Sequence, residues 1–418
     1  MLRSVAWMTN RRIVELGSLG TGASGGFAAG PFGSAVSSKN FVTSGTPMLR
    51  GSNLSLKVGV RLEDSDMVFV PDELANNFPR CIVGPGDLIF TCWGTIGQVG
   101  LIDEGSMYPR YLISNKQMKM TPDTSVADST FLYYYLSQAA TVKNIQGQAI
   151  GSSVPGFNLG QLKALKVLLP DLEKQRAIAE VLGALDDKIA ANRTSGRIAV
   201  ELADTLFAAA VAGIPMSDTT FEDLASIGGG GTPKTSVAEY WGDEVNWATP
   251  TDITALNLPY LGSTSRSISR EGLAACSSAL YPRGSILMTS RATIGAFAIA
   301  EIDTAVNQGF IVVNAKEPHL QSWLFHEMRS RVDEFISHAN GATFMELPRG
   351  KFKKLTVRLS SPESIQRFTD EVQPLHRFAA QIDNESRILA KTRDELLPLL
   401  MSGKLRVKDA EKKVEAIA

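Results

Sequence analysis

The chain carries a tandem repeat whose two copies lie about 190 to 200 residues apart. Gly-Thr-Ile-Gly at 94–97 returns as Ala-Thr-Ile-Gly at 292–295, each behind an apolar, strand-like run. Leu-Lys-Ala-Leu-Lys-Val at 162–167 returns as Phe-Lys-Lys-Leu-Thr-Val at 352–357. Solenoid units repeat every 20 to 50 residues, so this spacing indicates a duplicated domain instead. The repeat therefore predicts two similar modules in one chain.

Each copy leads into a long segment with apolar residues at alternating steps of four and three, the heptad seam of a coiled coil. The first seam contains Ile178, Leu182, Leu185, Ile189, Asn192, Gly196, Ala199, Ala203 and Leu206, and the second contains Ile365, Phe368, Val372, Leu375, Ala379, Ile382, Ser386, Leu389, Arg393, Leu396 and Leu400. Ser361 and Pro362 occupy the preferred N-cap and first-turn positions of the second helix, and Gly213 and Gly403 are placed to end the two helices. Helices of this length cannot bury their seam within a module, so we expect them to pack on each other. Because each helix follows its own module in a pseudo-twofold arrangement, the pair is expected to be antiparallel.

Polar and helix-breaking residues interrupt both seams. Pro374 predicts a kink in the second helix. Asn192 and Gly196 are expected to soften the first seam, and Ser386 and Arg393 to weaken the second.

The predicted fold class is α+β, with two strand-rich modules joined by two long antiparallel coiled-coil helices in a pseudo-twofold arrangement. The modules are expected to contain short strands between glycine and proline turns. A short helix is predicted at Ser129–Ser137 and another at about 320–336. The predicted divisions are the first module at 1–171, the first helix at 172–213, the second module at 214–361, the second helix at 362–404 and a C-terminal tail, expected to be a frayed helix, at 405–418.

Composition describes a globular protein with reduced cysteines. The 418 residues are 44% hydrophobic and 20% charged, without the 18 or more consecutive apolar residues of a membrane span. The three cysteines lie at no metal-ligand spacing, and the N-terminus shows no signal-peptide pattern, so we expect a cytoplasmic protein. The net charge of −1 predicts weak binding to nucleic acid unless a partner adds positive surface.

Catalytic motifs are missing from the sequence. It contains no phosphate-binding Gly-x4-Gly-Lys-Ser/Thr loop, no dinucleotide-binding glycine spacing and no nucleophile elbow. The four histidines form no zinc-ligand pattern, and no metal site is predicted. The glycine run at 228–231 is interpreted as a flexible turn, and His326 with Glu327 as surface residues of a helix.

Ordered motifs in both halves give the chain a family resemblance. Gly-Pro-Phe-Gly-Ser at 30–34 and Leu-Arg-Gly-Ser-Asn-Leu at 49–54 open the first module. Gly-Gly-Gly-Thr-Pro-Lys at 229–234 and Trp-Ala-Thr-Pro-Thr-Asp-Ile at 247–253 open the second, and Leu-Asp-Asp-Lys-Ile-Ala-Ala-Asn-Arg lies at 185–193. With these motifs the chain resembles the specificity subunit of type I restriction-modification systems.

The resemblance implies a sequence reader of double-stranded DNA that is not itself an enzyme. Each module would read one half of a bipartite site, and the helices would set the unread spacer. Two methyltransferase subunits would dock on the chain and methylate adenine N6, and restriction subunits would add cleavage. The chain itself would bind no cofactor, because S-adenosylmethionine, ATP and magnesium would be bound by the partner subunits. The Asn/Asp/Ser-Pro-Pro-Tyr/Phe box that this methylation requires is absent from the sequence.

Polar loop residues at matching points of the repeat are the candidate DNA contacts, because base edges are read by forked or small polar side chains on loops. In the first module they are Arg50, Ser52, Asn53, Trp93, Thr95, Arg110, Lys116, Gln117, Gln146, Gln148, Ser152 and Ser153. In the second they are Thr249, Thr251, Asp252, Ser290, Arg291, Asn307, Gln308, Asn340, Thr343 and Arg349, with Lys351, Lys353 and Lys354 expected to contact phosphates. A solvated strand face is the alternative for the basic stretch.

Two other functions stay open at this stage. A duplicated adaptor protein that binds no DNA is compatible with the near-neutral charge. A part of a self-contained restriction-methylation enzyme is disfavoured by the missing catalytic motifs.

Overall fold

The computed structural model describes residues 11–22, 26–33, 35–149, 156–341 and 345–416. The chain forms two compact units. Unit 1 is Met1–Lys188 with Ile388–Ala418, and unit 2 is Ile189–Arg387. The division falls inside both long helices, so each unit contains one module and a part of each helix. In the described part of the chain no helix is long and apolar enough to cross a membrane.

The strands of unit 1 form two four-stranded sheets and one antiparallel two-stranded sheet. They are β1 (Arg12–Glu15), β2 (Phe27–Ala29), β3 (Thr46–Leu49), β4 (Val68–Val70), β5 (Ile82–Val83), β6 (Leu88–Thr91), β7 (Val99–Leu101), β8 (Tyr111–Ile113), β9 (Gln117–Met120) and β10 (Lys166–Leu169). One sheet has the order β2-β9-β6-β7 and the other β4-β3-β8-β5, and β1 pairs with β10. The helices are α1 (Asp72–Asn76), α2 (Ser129–Ser137), α3 (Ala139–Gly147), α4 (Leu159–Ala164) and α5 (Leu172–Ala210), which continues into unit 2.

Unit 2 repeats this plan. Its strands are β11 (Met216–Thr220), β12 (Ala225–Gly228), β13 (Trp241–Ala248), β14 (Tyr260–Leu261), β15 (Ser267–Ile268), β16 (Ile286–Thr289), β17 (Phe297–Ala300), β18 (Thr304–Val306), β19 (Phe310–Ala315) and β20 (Thr356–Arg358). The sheet orders are β12-β19-β16-β17-β14 and β15-β13-β18, and β11 pairs with β20. The helices are α6 (Phe221–Leu224), α7 (Pro250–Thr254), α8 (Arg270–Ala275), α9 (Leu320–Arg329), α10 (Val332–Ser337), α11 (Arg349–Lys353) and α12 (Pro362–Ser402), which continues into unit 1, where α13 (Val407–Glu415) follows.

Strand register confirms the internal repeat. In unit 1 the parallel pair β3 and β8 places Leu49 beside Ile113, and in unit 2 the parallel pair β13 and β18 places Ala248 beside Val306. The strands β2, β9, β6 and β7 of the first module correspond to β12, β19, β16 and β17 of the second. Below, module 1 means residues 11–171 and module 2 means residues 214–361.

The second long helix begins, and both long helices end, at the signals found in the sequence. Asp171 caps α5 by accepting a hydrogen bond from the Lys174 amide at 3.0 Å. The Ile365 amide donates to the Ser361 carbonyl at 3.0 Å, with Pro362 as the first residue of α12. Gly213 and Gly403 have left-handed φ angles of 73° and 72°, which L-residues with a Cβ adopt at a cost.

Within unit 2 the two helices run antiparallel. Asn192 near the middle of α5 donates to the Glu385 carboxylate of α12 at 3.1 Å. Further along α5, the Phe207 ring meets that of Phe368, nearer the start of α12, with centroids 5.4 Å apart. Rising residue numbers on α5 therefore meet falling numbers on α12, as expected from the pseudo-twofold arrangement.

The polar seam residues have partners, which the sequence did not predict. In unit 1, Arg393 of α12 forms a buried salt bridge with Asp186 of α5, so it joins the helices that it was expected to weaken. Ser386 donates to the carbonyl of Ile382 one turn earlier at 2.8 Å. Pro374 is exposed, and α12 runs through it without interruption.

Three local predictions were wrong, and a fourth, the helical tail, was confirmed. The helix expected at 320–336 is divided into α9 and α10, because Arg331 interrupts it and pairs with carboxylates on both sides. His326 and Glu327 are buried. Gly230 belongs to no flexible turn, since a Cβ there would lie 1.7 Å from the Val306 carbonyl oxygen. The tail contains the predicted helix, α13, with Val407 and Ala410 buried.

Candidate nucleic-acid interface

One hairpin in each module has the same shape. The module-1 tip is residues 92–98, between β6 and β7, and the module-2 tip is residues 290–296, between β16 and β17. Gly94 and Ala292 occupy the same position in the two tips, with φ angles of 94° and 60°. An alanine in this region is strained by about 1 to 2 kcal/mol. The tip geometry is therefore kept even where the residue does not favour it.

In module 1 a returning segment fixes the tip. The Phe157 amide donates to the Cys92 carbonyl at 3.0 Å, and Trp93 forms an isolated β-bridge with Gly156. A Cβ on Gly156 would lie 2.8 Å from the Trp93 ring, so only glycine lets the indole lie against this backbone. Trp93 is nevertheless 49% exposed. The six-membered ring of the indole is therefore held against Gly156, and the side chain remains open to solvent.

In module 2 the equivalent segment holds an arginine. The Leu347 amide donates to the Ser290 carbonyl at 2.9 Å, and Arg291 forms an isolated β-bridge with Glu346. The Arg291 Nη2 lies 2.9 Å from the Glu346 Oε1, and both side chains are 43% exposed. Arg291 therefore occupies the place that Trp93 has in module 1.

An open cleft of about 860 Å³ borders the module-1 tip. Phe32, Trp93 and Phe157 contribute aromatic wall, and Asn115 and Lys116 contribute polar rim. Phe32 is 88% exposed. Exposed aromatic faces beside a cation form a surface suited to bases and phosphates.

Short turns after β3 and β13 use two of the predicted contacts as caps. Asn53 accepts from the Arg50 amide at 2.9 Å, and Asp252 accepts from the Thr249 amide at 2.7 Å. Burial raises the pKa of Asp252, but hydrogen bonds from Thr249 and Ser265 outweigh it and leave that pKa below its usual value. The two modules thus build the same capped turn with different residues.

The sequence matches the type I restriction modification DNA specificity domain twice, over residues 43–200 and 215–391. These two ranges cover most of the chain. The chain belongs to the type I restriction-modification specificity family. Each match contains one hairpin tip, one capped turn and most of one module.

Relatives in the specificity family come from archaea and bacteria. The MjaIX specificity subunit of Methanocaldococcus jannaschii is 30% identical over 177 residues, which is 42% of this chain and 41% of that protein. The HindI specificity subunit of Haemophilus influenzae is 20% identical over 375 residues, covering 71% of this chain and 81% of that protein. This chain therefore spans less than half the length of the archaeal subunit in that match.

A solved structure of the family shares the fold. The S subunit of the type I restriction-modification system from M. genitalium superimposes with a TM-score of 0.58 at 14% identity, covering 94% of this chain and 96% of that chain. At this identity the likeness concerns the fold alone.

Within this family member, the predicted contacts are only partly brought together. Trp93, Thr95, Lys116 and Gln146 lie at or beside the module-1 tip, and Gln146 holds it by donating to the Ile96 carbonyl at 3.1 Å. Arg110 precedes β8 whereas Lys116 follows it, so these two lie at opposite ends of one strand.

Three predicted contacts are corrected, because their side chains are buried. Asn53, Gln117 and Ser290 are 3%, 0% and 3% exposed. Asn53 also donates to the Glu63 carbonyl at 2.8 Å, and Gln117 hydrogen-bonds with the Ser114 hydroxyl. These side chains stabilise the modules and do not face a ligand.

The remaining predicted contacts are exposed or half-buried on the modules. They are Arg50, Ser52 and Gln148 in module 1, and Thr249, Thr251, Asp252, Asn307, Gln308, Asn340, Arg349, Lys351, Lys353 and Lys354 in module 2. Ser152, Ser153 and Thr343 lie outside the described residues. The basic stretch from Arg349 is helix α11 followed by β20, so its expected alternative as a strand face is wrong.

The sequence analysis also missed a buried network of hydrogen-bonded side chains in unit 2. The Asp204 Oδ1 lies 2.7 Å from the His326 Nδ1, and the His326 Nε2 lies 2.8 Å from the His376 Nε2. The Tyr260 hydroxyl lies 2.8 Å from the His376 Nδ1. This network joins α5, α9, α12 and β14. Partners so far apart in the sequence leave no local pattern that could predict it.

Burial controls the protonation of the histidines in this network. It lowers the pKa of His326, although Asp204 opposes the shift. Burial, together with the charges of His326 and Arg329, lowers the pKa of His376 to about 3. Burial raises the pKa of Asp204, but hydrogen bonds from His326 and Arg329 outweigh it and hold that pKa well below its usual value. Both histidines are therefore neutral near pH 7.

Among the described residues, no three His, Cys, Asp or Glu side chains are grouped to hold a metal ion. Burial raises the pKa of Cys92, beside the module-1 tip, to about 11. At neutral pH this thiol is protonated and a poor nucleophile.

Proposed function

We propose that this chain is the DNA-specificity subunit of a type I restriction-modification complex, and that each module reads one half of a bipartite DNA site. The observation that carries the proposal is the double match to the specificity domain, over residues 43–200 and 215–391. Each matched range contains a tip that presents an exposed or half-exposed side chain from a rigid hairpin. Reading residues on loops held by a rigid scaffold are the usual arrangement for recognition.

The different tips support unlike half-sites. Module 1 presents Trp93 and Lys116 beside an aromatic cleft, whereas module 2 presents Arg291 paired with Glu346. Aromatic and guanidinium side chains contact different features of base pairs. Two modules with one backbone plan and different tip chemistry are therefore suited to a split, asymmetric target.

The long helices would set the unread spacer and dock two methyltransferase subunits. S-adenosylmethionine would bind to those subunits, and ATP and magnesium to restriction subunits where these are present. The chain itself would contribute recognition and no chemical step. Its net charge of −1 supports binding in a complex, in which partner subunits add positive surface to the DNA-facing side.

The test is to express the chain with its cognate methyltransferase subunit in a host without adenine methylation, and to map modified adenines across the genome by single-molecule sequencing. We expect one motif with two short specific halves around a fixed unread gap. The methyltransferase subunit expressed alone is the control and should leave this motif unmodified. A stable complex that adds no methylation at any split motif would contradict the proposal and favour a protein adaptor.

A further inference from the structure

We propose that the tip residues Arg291 and Trp93 determine base specificity in the two modules, Arg291 by reading a guanine and Trp93 by contacting the methyl group of a thymine. The inference rests on the proposed function, because it assigns individual base contacts to that same surface. It narrows the set of candidate contacts to one position in each module.

Backbone pairing places the two residues at one equivalent position. Trp93 and Arg291 each follow the strand end by two residues, and each bridges the returning segment, at Gly156 and at Glu346. The next residue adopts a left-handed conformation in both tips. Strain is retained in folded proteins where the surrounding structure requires that conformation, and such sites are often functional. The shared geometry therefore holds two chemically different side chains in the same place.

Arg291 has unused hydrogen-bonding capacity. A guanidinium offers five N–H donors, and the Arg291 Nη2 forms a salt bridge with the Glu346 Oε1 at 2.9 Å. The Arg291 Nε is buried, so the half-exposed side chain offers a base its Nη groups only. A forked guanidinium matches the O6 and N7 acceptors of guanine in the major groove. Glu346 would thus position the Arg291 guanidinium in the free protein. On DNA binding, guanine would replace Glu346 as the acceptor.

Trp93 presents an apolar surface held in one orientation. Its ring lies against Gly156, and the side chain is 49% exposed beside the cleft that also contains Phe32 and Lys116. A supported aromatic ring loses little side-chain entropy on binding. Apolar side chains in the major groove recognise the thymine methyl group. Lys116 on the cleft rim is available for the neighbouring phosphate.

The experiment compares single variants of the chain in the complex with its methyltransferase subunits. Arg291→Ala and Arg291→Lys test the fork, and Trp93→Ala and Trp93→Phe test the ring. The matched control is Arg283→Ala, since Arg283 lies in module 2 and pairs with Glu301 at 2.6 Å, but belongs to neither tip. For each complex, initial methylation rates are measured on duplexes that carry every base at every half-site position.

We expect Arg291→Ala to lower the preference for guanine at one position of one half-site by roughly 5- to 150-fold, the range for one bidentate base contact. Trp93→Ala should relax a thymine preference in the other half only. Arg291→Lys keeps the charge beside Glu346 but lacks the fork, so it should also lose preference. Arg283→Ala should keep the wild-type pattern.

Three results would overturn the inference while wild-type methylation upholds the proposed function. Base preferences unchanged in both Arg291→Lys and Trp93→Phe, as well as in the alanine variants, would exclude both contacts. Equal loss of rate on all duplexes would indicate a phosphate contact instead. Relaxation in the same half-site by Arg291 and Trp93 variants would contradict one tip per half-site. Absence of wild-type methylation would instead contradict the proposed function.

Discussion

The buried network of Asp204, His326, His376 and Tyr260 has one consistent arrangement of protons. Asp204 accepts from the His326 Nδ1–H, which leaves the His326 Nε2 as an acceptor. His376 must then donate through its Nε2–H, and its Nδ1 accepts from the Tyr260 hydroxyl, as the distances of 2.7 to 2.8 Å allow. Protonation of either ring would replace an acceptor by a donor and so break a hydrogen bond of the network.

We therefore expect unit 2 to lose stability when the pH falls from 7 to 5. Burial lowers the pKa of both histidines, that of His376 to about 3, so the unfolded chain takes up protons first below about pH 6.5. The free energy of unfolding should then fall by up to about 1.4 kcal/mol per pH unit for each histidine. Asp204 adds nothing in this range, because it is ionised in both states. Urea unfolding at fixed pH values measures the slope.

His376→Gln should flatten this pH dependence, and the half-buried His338, 3.8 Å from Glu334, is the control. The same slope in His376→Gln as in the wild type would contradict the assignment. A flattened slope in His338→Gln would do the same.

At the scale of single elements, Asp186 and Arg393 connect α5 and α12 in unit 1. Their side chains are 4% and 8% exposed, and the Tyr134 hydroxyl also donates to Asp186. Arg393→Met should cost about 3 to 5 kcal/mol of unfolding free energy, because it leaves Asp186 buried with its charge uncompensated. Denaturant unfolding of the chain measures the difference.

A double variant separates lost attraction from the unpaired charge. Asp186→Leu combined with Arg393→Met removes both charges and should cost less than Arg393→Met alone, although the Tyr134 hydroxyl loses its acceptor. The exposed pair Arg197 and Glu201 on α5 is the control, and Arg197→Met should change stability by less than about 1 kcal/mol. A double variant less stable than the single one would show that the pair itself supplies the stability.

Local patterns predicted the helices well and their polar contacts poorly. Heptad spacing, Ser361 and the closing glycines depend on neighbours along the chain, so the sequence reveals them. His326 was wrongly interpreted as a surface residue, because its partners Asp204 and His376 lie on other helices. Arg393 was interpreted as a defect for the same reason. A polar residue at a buried position can be interpreted only once its partner is known.

The whole molecule repeats one backbone plan with different surface chemistry. The duplicated motifs predicted two similar modules, and the strand order of the two sheets confirms that similarity. Which tip residues face solvent was less predictable, because Ser290 and Arg291 are neighbours and only the second is exposed. The capped turn gives the same lesson, since Asn53 and Asp252 matched in sequence but serve as caps. Duplication thus identifies the surface, and burial determines which of its residues can contact a ligand.

Both long helices pass from one compact unit into the other, so their length should set the gap between the two half-sites. Inserting one heptad between Lys188 and Ile189 and another between Arg387 and Ile388 keeps the seam pattern, because seven residues make about two turns. The insertion adds about 10 Å, which corresponds to about three base pairs of duplex. Methylation mapping should then show unchanged halves around a spacer longer by about three base pairs. An insertion in α5 alone is the control and should prevent the shift, because the antiparallel contacts of α12 would no longer match. An active double-insertion complex with the original spacer would show that the helices do not set it.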